Sequence, residues 1–529
     1  MKDKIIVKLI VSVLVFVTGH GYAQIPDPNQ GLRAAWMRGT YGLNWKPAKS
    51  ANGKSESPNL VIDHFLEQIK GLKTVDYIQL HLGESATYSS VHIAPHDLLE
   101  SLWQGDVDSN GKPINLIVPR KSSGVDPFLK MLVATKNAGL KTQVYVNSAN
   151  MLRSWRVRKG GEVIQLPVPG DLPDVTKRWK HWCDTNPKAQ QFIKSKPYHT
   201  AIDWPERKYM FCYAEFVLKP YAVRYGDLID AWLFDAGKTF YQFVGGDNRE
   251  SGLLEDQRIY QAFSNALHEG NPKAAIAFNN SFGALDRVHK PFSEATLFDD
   301  YMFGHPFFGG RNIGAHKENK FLLEWWTDRD GYPHRKDGND RTWDDNVVGH
   351  LDPPMSVWAW NDGTKSGLTN EQFVDWYGPA IAGGGAISLG VPLLDRDSWD
   401  QKLLARDWGM EQLVLLDAYL SKHQNPGKPN WARQETVLPP ATIGKEYSYT
   451  LTEGIHFWDP EGDEIQLSIQ KGNQNLPSWL TLTKSSSGEW VLVGIPTEAE
   501  NIKYQFNLRA EDKESGATDR EVVLDVIAK

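Results

Sequence analysis

The sequence predicts an α/β protein, a TIM (β/α)8 barrel followed by a small all-β sandwich of the immunoglobulin type. Short apolar strands alternate with helical segments over most of the chain, a spacing that predicts parallel strand pairing. Eight such strands favour a closed barrel, and an open doubly wound sheet is the alternative. Beyond residue 431 the pattern changes to short alternating strands separated by glycine turns, which predicts a sandwich.

The elements follow from periodicity and from breaker residues. Apolar spacing of 3.6 residues predicts helices, and short apolar or alternating runs predict strands. Gly139 closes one helix at a position typical of a C-terminal cap. The predicted barrel strands are 33–42, 77–82, 142–146, 231–234, 274–278, 321–326, 356–360 and 386–390, and the main predicted helices are 60–72, 127–137, 209–225, 253–268 and 370–381.

The chain divides into three predicted parts. Residues 1–23 contain three lysines, an apolar run and small residues ending at Ala23, which together predict a cleaved signal peptide. Residues 24–425 form the predicted barrel, and residues 431–529 the β-sandwich. No later stretch is apolar enough to cross a bilayer. The expected location is therefore secreted, periplasmic or on the cell surface.

Composition narrows the function classes. The formal charge is −7, and removal of Lys2, Lys4, Lys8 and Asp3 with the signal peptide makes it about −9, which argues against a nucleic-acid binder. The 20 tryptophans favour carbohydrate, because aromatic faces stack on the apolar faces of sugar rings. The two cysteines, Cys183 and Cys212, form either one disulfide or two buried free thiols.

The stretch 209–238 holds the main catalytic candidate. A helix ends at a turn over 225–227, and an apolar strand then stops abruptly at Asp235. In β/α barrels the carboxyl ends of the strands carry the chemistry, so we expect Asp235 to be a catalytic nucleophile. The alternative is a capping carboxylate that accepts from backbone amides of the next turn.

Hydrolysis of a glycosidic bond also needs a group that protonates the leaving oxygen. The acid/base candidates are Asp300, Glu294 and His305, each with a structural role as the alternative. Polar and aromatic groups at strand ends and in the Trp-rich insertion at 150–205 are expected to bind sugar hydroxyls; His81 could instead be a core histidine, and Glu324 could face a helix. The full predicted substrate-binding set is Trp36, Arg38, His81, Asn147, Arg153, Trp155, Arg156, Asn279, Glu324 and Trp360.

Motifs for metals and cofactors are absent from the sequence. There is no HExxH, no zinc-type spacing, no phosphate loop and no dinucleotide fingerprint. We therefore expect no cofactor and no catalytic metal. A structural Ca²⁺ could be held by the acidic turn 459–463 with Asp512, although a solvated turn explains the same residues.

Basic clusters stand out in an acidic protein. They lie at 153–159, 177–182 and 334–336, and they are either solvated surface or sites for the anionic groups of a polysaccharide, since Arg recognises sulfate oxygens with a fork of donors.

The phrase VRYGDLIDAWLFDAG at 223–237 resembles the α-L-fucosidase superfamily, and the chain is most similar there to secreted marine bacterial endo-fucanases. The segment DDYMFGHP at 299–306 supports this. The resemblance covers roughly residues 31–420 and implies a retaining mechanism with Asp235 as nucleophile; the second catalytic residue varies between branches, a carboxylate in most and a histidine in one. Residues 431–529 resemble immunoglobulin- or cadherin-like modules of secreted bacterial enzymes through LPSWLTL at 476–482 and GIPT at 494–497.

These features give one hypothesis and two rivals. The hypothesis is a secreted retaining glycoside hydrolase that cleaves α-L-fucosyl linkages inside a sulfated fucan. The first rival is a hydrolase of another algal or bacterial polysaccharide, because fold does not fix substrate. The second is a non-catalytic carbohydrate-binding or adhesion protein with a degenerate barrel. The expected partner in each case is a polysaccharide, sulfated in the main hypothesis, with no nucleic acid and no membrane span.

Overall fold

The computed structural model of the protein describes twenty segments of the chain. For 156–159 and 162–165 it describes the backbone alone. The segments are 35–37, 39–46, 62–85, 90–102, 124–147, 156–159, 162–165, 175–200, 207–235, 258–279, 298–301, 350–356, 365–382, 385–394, 404–425, 427–432, 435–470, 476–498, 500–514 and 516–528. The predicted signal peptide 1–23 lies outside them.

A curled sheet of seven parallel strands organises the larger domain. Its strand order is β8-β7-β4-β2-β1-β10-β9, and β3 pairs antiparallel with β2. The order follows the chain cyclically, as in a barrel, with β8 and β9 at the two edges. The strands are β1 Thr40–Trp45, β2 Val75–Ser85, β3 Ser90–His92, β4 Lys141–Asn147, β5 Arg156–Lys159, β6 Glu162–Gln165, β7 Ala231–Asp235, β8 Ala275–Phe278, β9 His350–Leu351 and β10 Ala386–Gly390.

The parallel β/α sheet predicted from the sequence is confirmed, with corrections to its elements. The predicted strand 33–42 begins only at Thr40, because Gly39 turns the chain with a φ of 63° and residues Ala35–Met37 form a 3₁₀ turn before it. Of the predicted strand 356–360 only Ser356 is described, and it makes an isolated antiparallel bridge to Ser366; the described strand beside β10 is β9. The predicted strand 321–326 lies outside the described residues.

Helices cover the outer face of the sheet. The main core lies between them, and both Ile78 and Leu80 of β2 are fully buried there. A two-stranded hairpin, β5 with β6, precedes α4. The helices are α1 Asp63–Ile69, α2 Asp97–Ser101, α3 Pro127–Asn137, α4 Val175–Thr185, α5 Pro187–Lys194, α6 Arg207–Tyr213, α7 Lys219–Tyr225, α8 Arg258–His268, α9 Asn370–Ala382 and α10 Asp407–His423, with 3₁₀ turns at Pro197–His199 and Gly226–Leu228.

Along β2, the inner face of the sheet is strongly polar. Successive residues of a strand point to opposite faces, so Tyr77, Gln79 and His81 of β2 lie inside while the intervening apolar residues face the helices. Gly42 on β1 makes room for this column, because a Cβ there would lie 2.2 Å from the Tyr77 ring. TIM barrels usually fill this space with branched apolar side chains.

The helix that leads into β7 contains a π-helical turn. Residues Ala214–Leu218 separate α6 from α7. Pro220 carries no amide hydrogen, so the Phe216 carbonyl cannot receive the usual helical bond from residue 220. The His96 ring, 3% exposed, interacts with the backbone of Phe216 and Val217 at this point. His96 therefore lies against the widened turn.

Acid should weaken the fold through His96. Burial, and secondly the charge of Arg224, lower the pKa of His96 to about 4 from an ordinary value of 6.5. The folded state thus keeps the ring neutral while the unfolded chain protonates it, so its stabilising contribution is complete above pH 6.5 and is lost as the pH falls toward 4. We expect a loss of about 2 kcal/mol between pH 7.5 and pH 5, measured as the free energy of unfolding in urea at these two pH values.

The variant His96→Gln, which does not titrate, should show a smaller loss between these two pH values than the parent protein. His64→Gln, at an exposed position on α1, is the matched control and should behave like the parent. Equal pH dependence in His96→Gln and the parent would contradict the assignment to His96.

The smaller domain is a β-sandwich, as predicted. One sheet has five strands in the order β12-β20-β19-β16 with β13 beside β20, the other has three in the order β14-β18-β17, and β11 pairs with β15. The strands are β11 Asn430–Trp431, β12 Glu435–Val437, β13 Ala441–Thr442, β14 Tyr447–Leu451, β15 Phe457–Trp458, β16 Ile465–Ile469, β17 Thr481–Lys484, β18 Trp490–Gly494, β19 Ile502–Asp512 and β20 Ala517–Ile527.

The sandwich is attached to the amino-terminal end of the parallel sheet. The Trp458 indole donates to the Ser421 carbonyl near the end of α10 at 2.8 Å, and Lys73, just before β2, lies over the Trp458 ring. Burial raises the pKa of Asp76 on β2 to about 7, while the positive charge of Arg520 on β20 lowers it. The sandwich therefore sits at the end of the sheet opposite the carboxyl ends of the strands.

The cysteines are two buried thiols rather than a disulfide. Cys183 on α4 and Cys212 on α6 are both fully buried and not bonded covalently, and the Cys183 thiol interacts with that of Cys212. Burial is the main cause that raises the pKa of the Cys183 thiol. The Cys183 thiol is therefore protonated, and both cysteines form part of the core between these helices.

Candidate active site

Asp235 lies at the carboxyl end of β7, as predicted. The four residues before it, 231–234, are buried and Asp235 itself is half-buried. Its register partner on β4 is Asn147. The backbone amide of Asn279, which follows β8, donates to the Phe234 carbonyl at 2.8 Å. Three polar side chains from three adjacent strands therefore meet at one end of the sheet.

Both oxygens of the Asp235 carboxylate receive a hydrogen bond. The Tyr145 hydroxyl donates to Oδ2 at 2.5 Å, and the Asn279 amide nitrogen Nδ2 donates to Oδ1 at 2.7 Å. Bonds of this length to a carboxylate are charge-assisted. They fix the plane of the carboxylate and stabilise its negative charge, which suits a nucleophile held ready for attack.

The polar column continues from Tyr145 down the inner face. The His81 ring stacks on the Tyr145 ring with centroids 4.2 Å apart. His81 Nε2 lies 2.9 Å from Asn44 Oδ1, and Asn44 Nδ2 donates to the Asp352 carboxylate. His81 is thus both buried and close to the site, which combines the two alternatives left open by the sequence.

The lowest layer of the column joins four strands. Ser388 on β10 lies 2.9 Å from both the Tyr77 hydroxyl and His350 Nε2, and donates to Gln143 Oε1 at 3.0 Å. The Gln143 side chain in turn receives Gln79 Nε2 at 2.9 Å. Burial is the main cause that raises the pKa of Tyr77 above its ordinary value of 10.0, so this phenol stays neutral.

Asp300 is placed against the edge of β8. Its backbone amide donates to the Ile276 carbonyl at 2.7 Å, and its Oδ2 accepts from the Ile276 amide at 3.0 Å. Asp299 binds the Phe278 amide in the same way at 2.6 Å. Ile276 precedes Asn279 by three residues, or about 10 Å along a strand. These bonds give both carboxylates a role in covering the sheet edge.

Trp36 is placed at the other end of the sheet from Asp235. Its ring packs edge-on against Tyr77 at 5.4 Å, and Lys141, the first residue of β4, lies over it. The reason is the late start of β1, which leaves Trp36 in the preceding 3₁₀ turn. The structure therefore does not bring Trp36 to Asp235.

Other predicted groups lie outside the site or outside the described residues. Arg156 belongs to the β5 hairpin, of which the backbone alone is described. In the cluster 177–182, Trp179 is fully buried and its indole donates to the Tyr209 carbonyl at 3.2 Å, so part of this cluster belongs to the helical core. The cluster 334–336 and Arg38, Arg153, Trp155, Glu294, His305, Glu324 and Trp360 lie outside the described residues.

Three polar residues of the site were missed from the sequence: Tyr145, Asn44 and Asp352. The signal was present for Tyr145, because it alternates with apolar neighbours two positions before Asn147 on a strand already predicted. Asp352 gave no such signal, since β9 has two residues. Finding it requires knowledge of which strands are neighbours.

In the described part of the chain, no group of three or more His, Cys, Asp or Glu side chains could hold a metal ion. In the acidic turn of the sandwich, Asp459 accepts from the amides of Glu461 and Asp463, and Asp512 from those of Glu514 and Gly516. Within the same residues no helix is long and apolar enough to cross a membrane.

A curled parallel β/α sheet with an oriented carboxylate at one strand end is typical of the glycoside hydrolases. Comparison with solved structures identifies the family. The chain is 48% identical to the endo-fucoidan hydrolase MfFcnA4 from glycoside hydrolase family 107, with a TM-score of 0.82 over 95% of this chain and 69% of that chain. It is 47% identical to MfFcnA9 of the same family, with a TM-score of 0.82 over 95% of this chain and 82% of that chain. The chain belongs to glycoside hydrolase family 107.

Two further comparisons complete this result. A family model described as "Putative Ig domain" matches residues 432–527, which agrees with the predicted immunoglobulin-like module. A search of curated proteins finds no match. The prediction of a glycoside hydrolase is thereby confirmed, and the wider resemblance to the α-L-fucosidase superfamily stays a prediction.

The Asn279 amide should matter for catalysis more than for folding. Asn279→Ala removes the donor to Asp235 Oδ1, and a hydrogen bond to a charged group is worth about 1.5–3 kcal/mol. We expect kcat to fall by roughly 10- to 100-fold, measured with fucoidan, the polymer that the solved relatives hydrolyse. Asn271→Ala is the control: its side chain donates to the Ile229 carbonyl at the opposite end of the sheet, so kcat should stay within about twofold. A similar kcat for both variants would contradict the role of Asn279.

Proposed function

We propose that this protein is a secreted endo-fucoidan hydrolase that cleaves α-L-fucosyl linkages within a sulfated fucan. The observation that carries the proposal is the membership of family 107 together with a carboxylate, Asp235, oriented by Tyr145 and Asn279 at the carboxyl end of a central strand. The solved relatives at 47% and 48% identity are endo-fucoidan hydrolases. A carboxylate with a hydrogen bond to each of its two oxygens argues against the non-catalytic adhesion alternative.

The proposed reaction is a double displacement with retention. Asp235 attacks the anomeric carbon and forms a covalent glycosyl ester while the leaving oxygen is protonated; an activated water then hydrolyses the ester. The bond from Tyr145 to Oδ2 and the bond from Asn279 to Oδ1 orient the carboxylate before attack. No cofactor takes part in these steps.

The acid/base is proposed to come from the stretch 280–349. Of the three candidates in this stretch, Asp300 is held by the backbone of β8, whereas Glu294 and His305 lie outside the described residues. A solved variant of MfFcnA4 carries a histidine replaced by glutamine, which favours a histidine in this role. The stretch contains four, at positions 289, 305, 316 and 334, and His305 is our candidate among them.

The finer features of the proposal concern substrate charge, export and closure. A sulfated polymer fits the basic clusters at 153–159 and 334–336 through charge-assisted bonds. The signal peptide 1–23 would direct export to where such a polymer occurs. We also propose that residues between β8 and β9 complete a (β/α)8 barrel, since the cyclic strand order leaves its opening there.

Replacement of Asp235 tests the nucleophile. Asp235→Asn should lower kcat on fucoidan by at least about 10³-fold without a comparable loss of stability, because the side chain is half-buried and the amide keeps its shape. In the parent protein, a fluorinated fucosyl inactivator should label the peptide that contains Asp235, as read by mass spectrometry. NMR of nascent products should show the α configuration.

Asp230→Asn is the matched control, since Asp230 precedes the same strand and binds Lys136 at the opposite end. It should keep kcat within about twofold even where stability falls. Substantial turnover by Asp235→Asn, a label on another residue or a β product would each overturn the proposed mechanism.

A further inference from the structure

A second carboxylate lies inside the curled sheet. Asp352 directly follows β9 and is 1% exposed. Its Oδ1 accepts from Asn44 Nδ2 at 3.4 Å and its Oδ2 from Gln79 Nε2 at 3.5 Å. Gln79 is itself held in place, because its Nε2 also donates to Gln143 at 2.9 Å. Asp352 is therefore a buried acid that faces side-chain amides of β1 and β2.

Asp352 determines which way the Asn44 amide points. A carboxylate oxygen accepts hydrogen bonds, and Asn44 turns its Nδ2 group toward Asp352 Oδ1. The Asn44 oxygen then faces His81 Nε2, 2.9 Å away. Because an amide oxygen is an acceptor, Nε2 must carry the proton. The tautomer of His81 thus follows from the hydrogen bond between Asn44 and Asp352.

The fixed ring of His81 supports the donor to the proposed nucleophile. The ring centroids of His81 and Tyr145 are 4.2 Å apart, and the two ring planes are inclined by 25°. The Tyr145 hydroxyl donates to Asp235 at 2.5 Å. A rotation of the His81 ring would open space beside Tyr145, and the phenol could then leave its bond to Oδ2.

We propose that Asp352 is a positioning residue for Asp235, acting through Asn44, His81 and Tyr145. This inference rests on the proposed role of Asp235 as nucleophile. The Asp352 carboxylate, just after β9, fixes the orientation of the Asn44 amide, which fixes the tautomer and the ring plane of His81. The His81 ring in turn holds the Tyr145 hydroxyl on the attacking carboxylate. Asp352 touches neither sugar nor reacting atoms in this role, so its removal changes kcat rather than KM.

A double-mutant cycle between Asp352 and Tyr145 tests the connection. Asp352→Asn leaves size and shape unchanged but lets the Asn44 amide turn over, and we expect kcat on fucoidan to fall about tenfold with KM within about twofold. Tyr145→Phe should lower kcat by a similar or larger factor. If Asp352 acts through Tyr145, the double variant should have the kcat of Tyr145→Phe alone.

The rate of labelling by the fluorinated fucosyl inactivator is the second readout, because it reports attack by the nucleophile directly. It should fall in Asp352→Asn by the same factor as kcat. Multiplicative effects in the double variant, an unchanged labelling rate or a loss expressed only in KM would each overturn the role of Asp352.

Two variants guard against misreading a folding defect. His81→Phe keeps a ring against Tyr145 but removes the contact with Asn44; it should reproduce the kcat loss of Asp352→Asn, and an unchanged kcat would overturn the proposal. Asp417→Asn is the matched control, since Asp417 is also buried and accepts from Thr74 near the amino-terminal end of β2. It should lower stability and leave kcat per folded molecule unchanged.

The two proposals fail separately. Full activity of Asp235→Asn would refute the assignment of Asp235 as the nucleophile, whatever result the double-mutant cycle gives. An inactive Asp235→Asn together with independent effects at Asp352 and Tyr145 would leave the mechanism intact and remove the positioning role alone.

Discussion

The parallel register of β4, β7 and β8 is the constraint on which the site depends. In a parallel ladder, neighbouring strands keep their side chains in rows and carry all their carboxyl ends to one edge. These rows place Asn147 of β4 beside Asp235 of β7. Asn279, just after β8, donates its backbone amide to the Phe234 carbonyl and so lies beside the end of β7. A shift of one residue would turn each of these side chains to the helix-covered face. The apolar residues that bury β7 therefore also fix the geometry of the candidate site at its end.

The two faces of the sheet have different roles: the outer face contributes to stability, and the inner face carries the polar groups near the candidate site. The outer face packs apolar side chains against helices, while the inner face carries a column of tyrosine, glutamine, asparagine, histidine and aspartate side chains. A buried polar group without partners destabilises a protein by about 1–3 kcal/mol, so such a column is tolerated because its members bond to one another. That mutual bonding makes the column rigid in a way that an apolar filling does not, since each hydrogen bond restricts the orientation of the next group.

Much of the fold could be predicted because it follows from local patterns. The helix 127–137 and the strands β7, β16 and β10 coincide with their periodic segments, and Asp235 was visible as the polar end of an apolar run. Tyr145 and Asp352 act through neighbours on other strands, and strand order is not a local property. Trp36 lies away from Asp235 for a local reason. The apolar composition of 33–42 predicts a strand there, but the left-handed turn at Gly39 makes β1 begin only at Thr40.

The position of the sandwich separates its role from that of the site. Its contacts reach residues before and at the start of β2, and the end of α10, whereas Asp235 lies at the opposite ends of the strands. The contacts of the sandwich therefore lie at the opposite end of the sheet from Asp235. At this junction burial raises the pKa of Asp76 and the charge of Arg520 lowers it, so loss of Arg520 would make an ionised Asp76 less favourable. The junction thus connects the sandwich to the start of β2, while the register of the strands positions Asp235 at the other end.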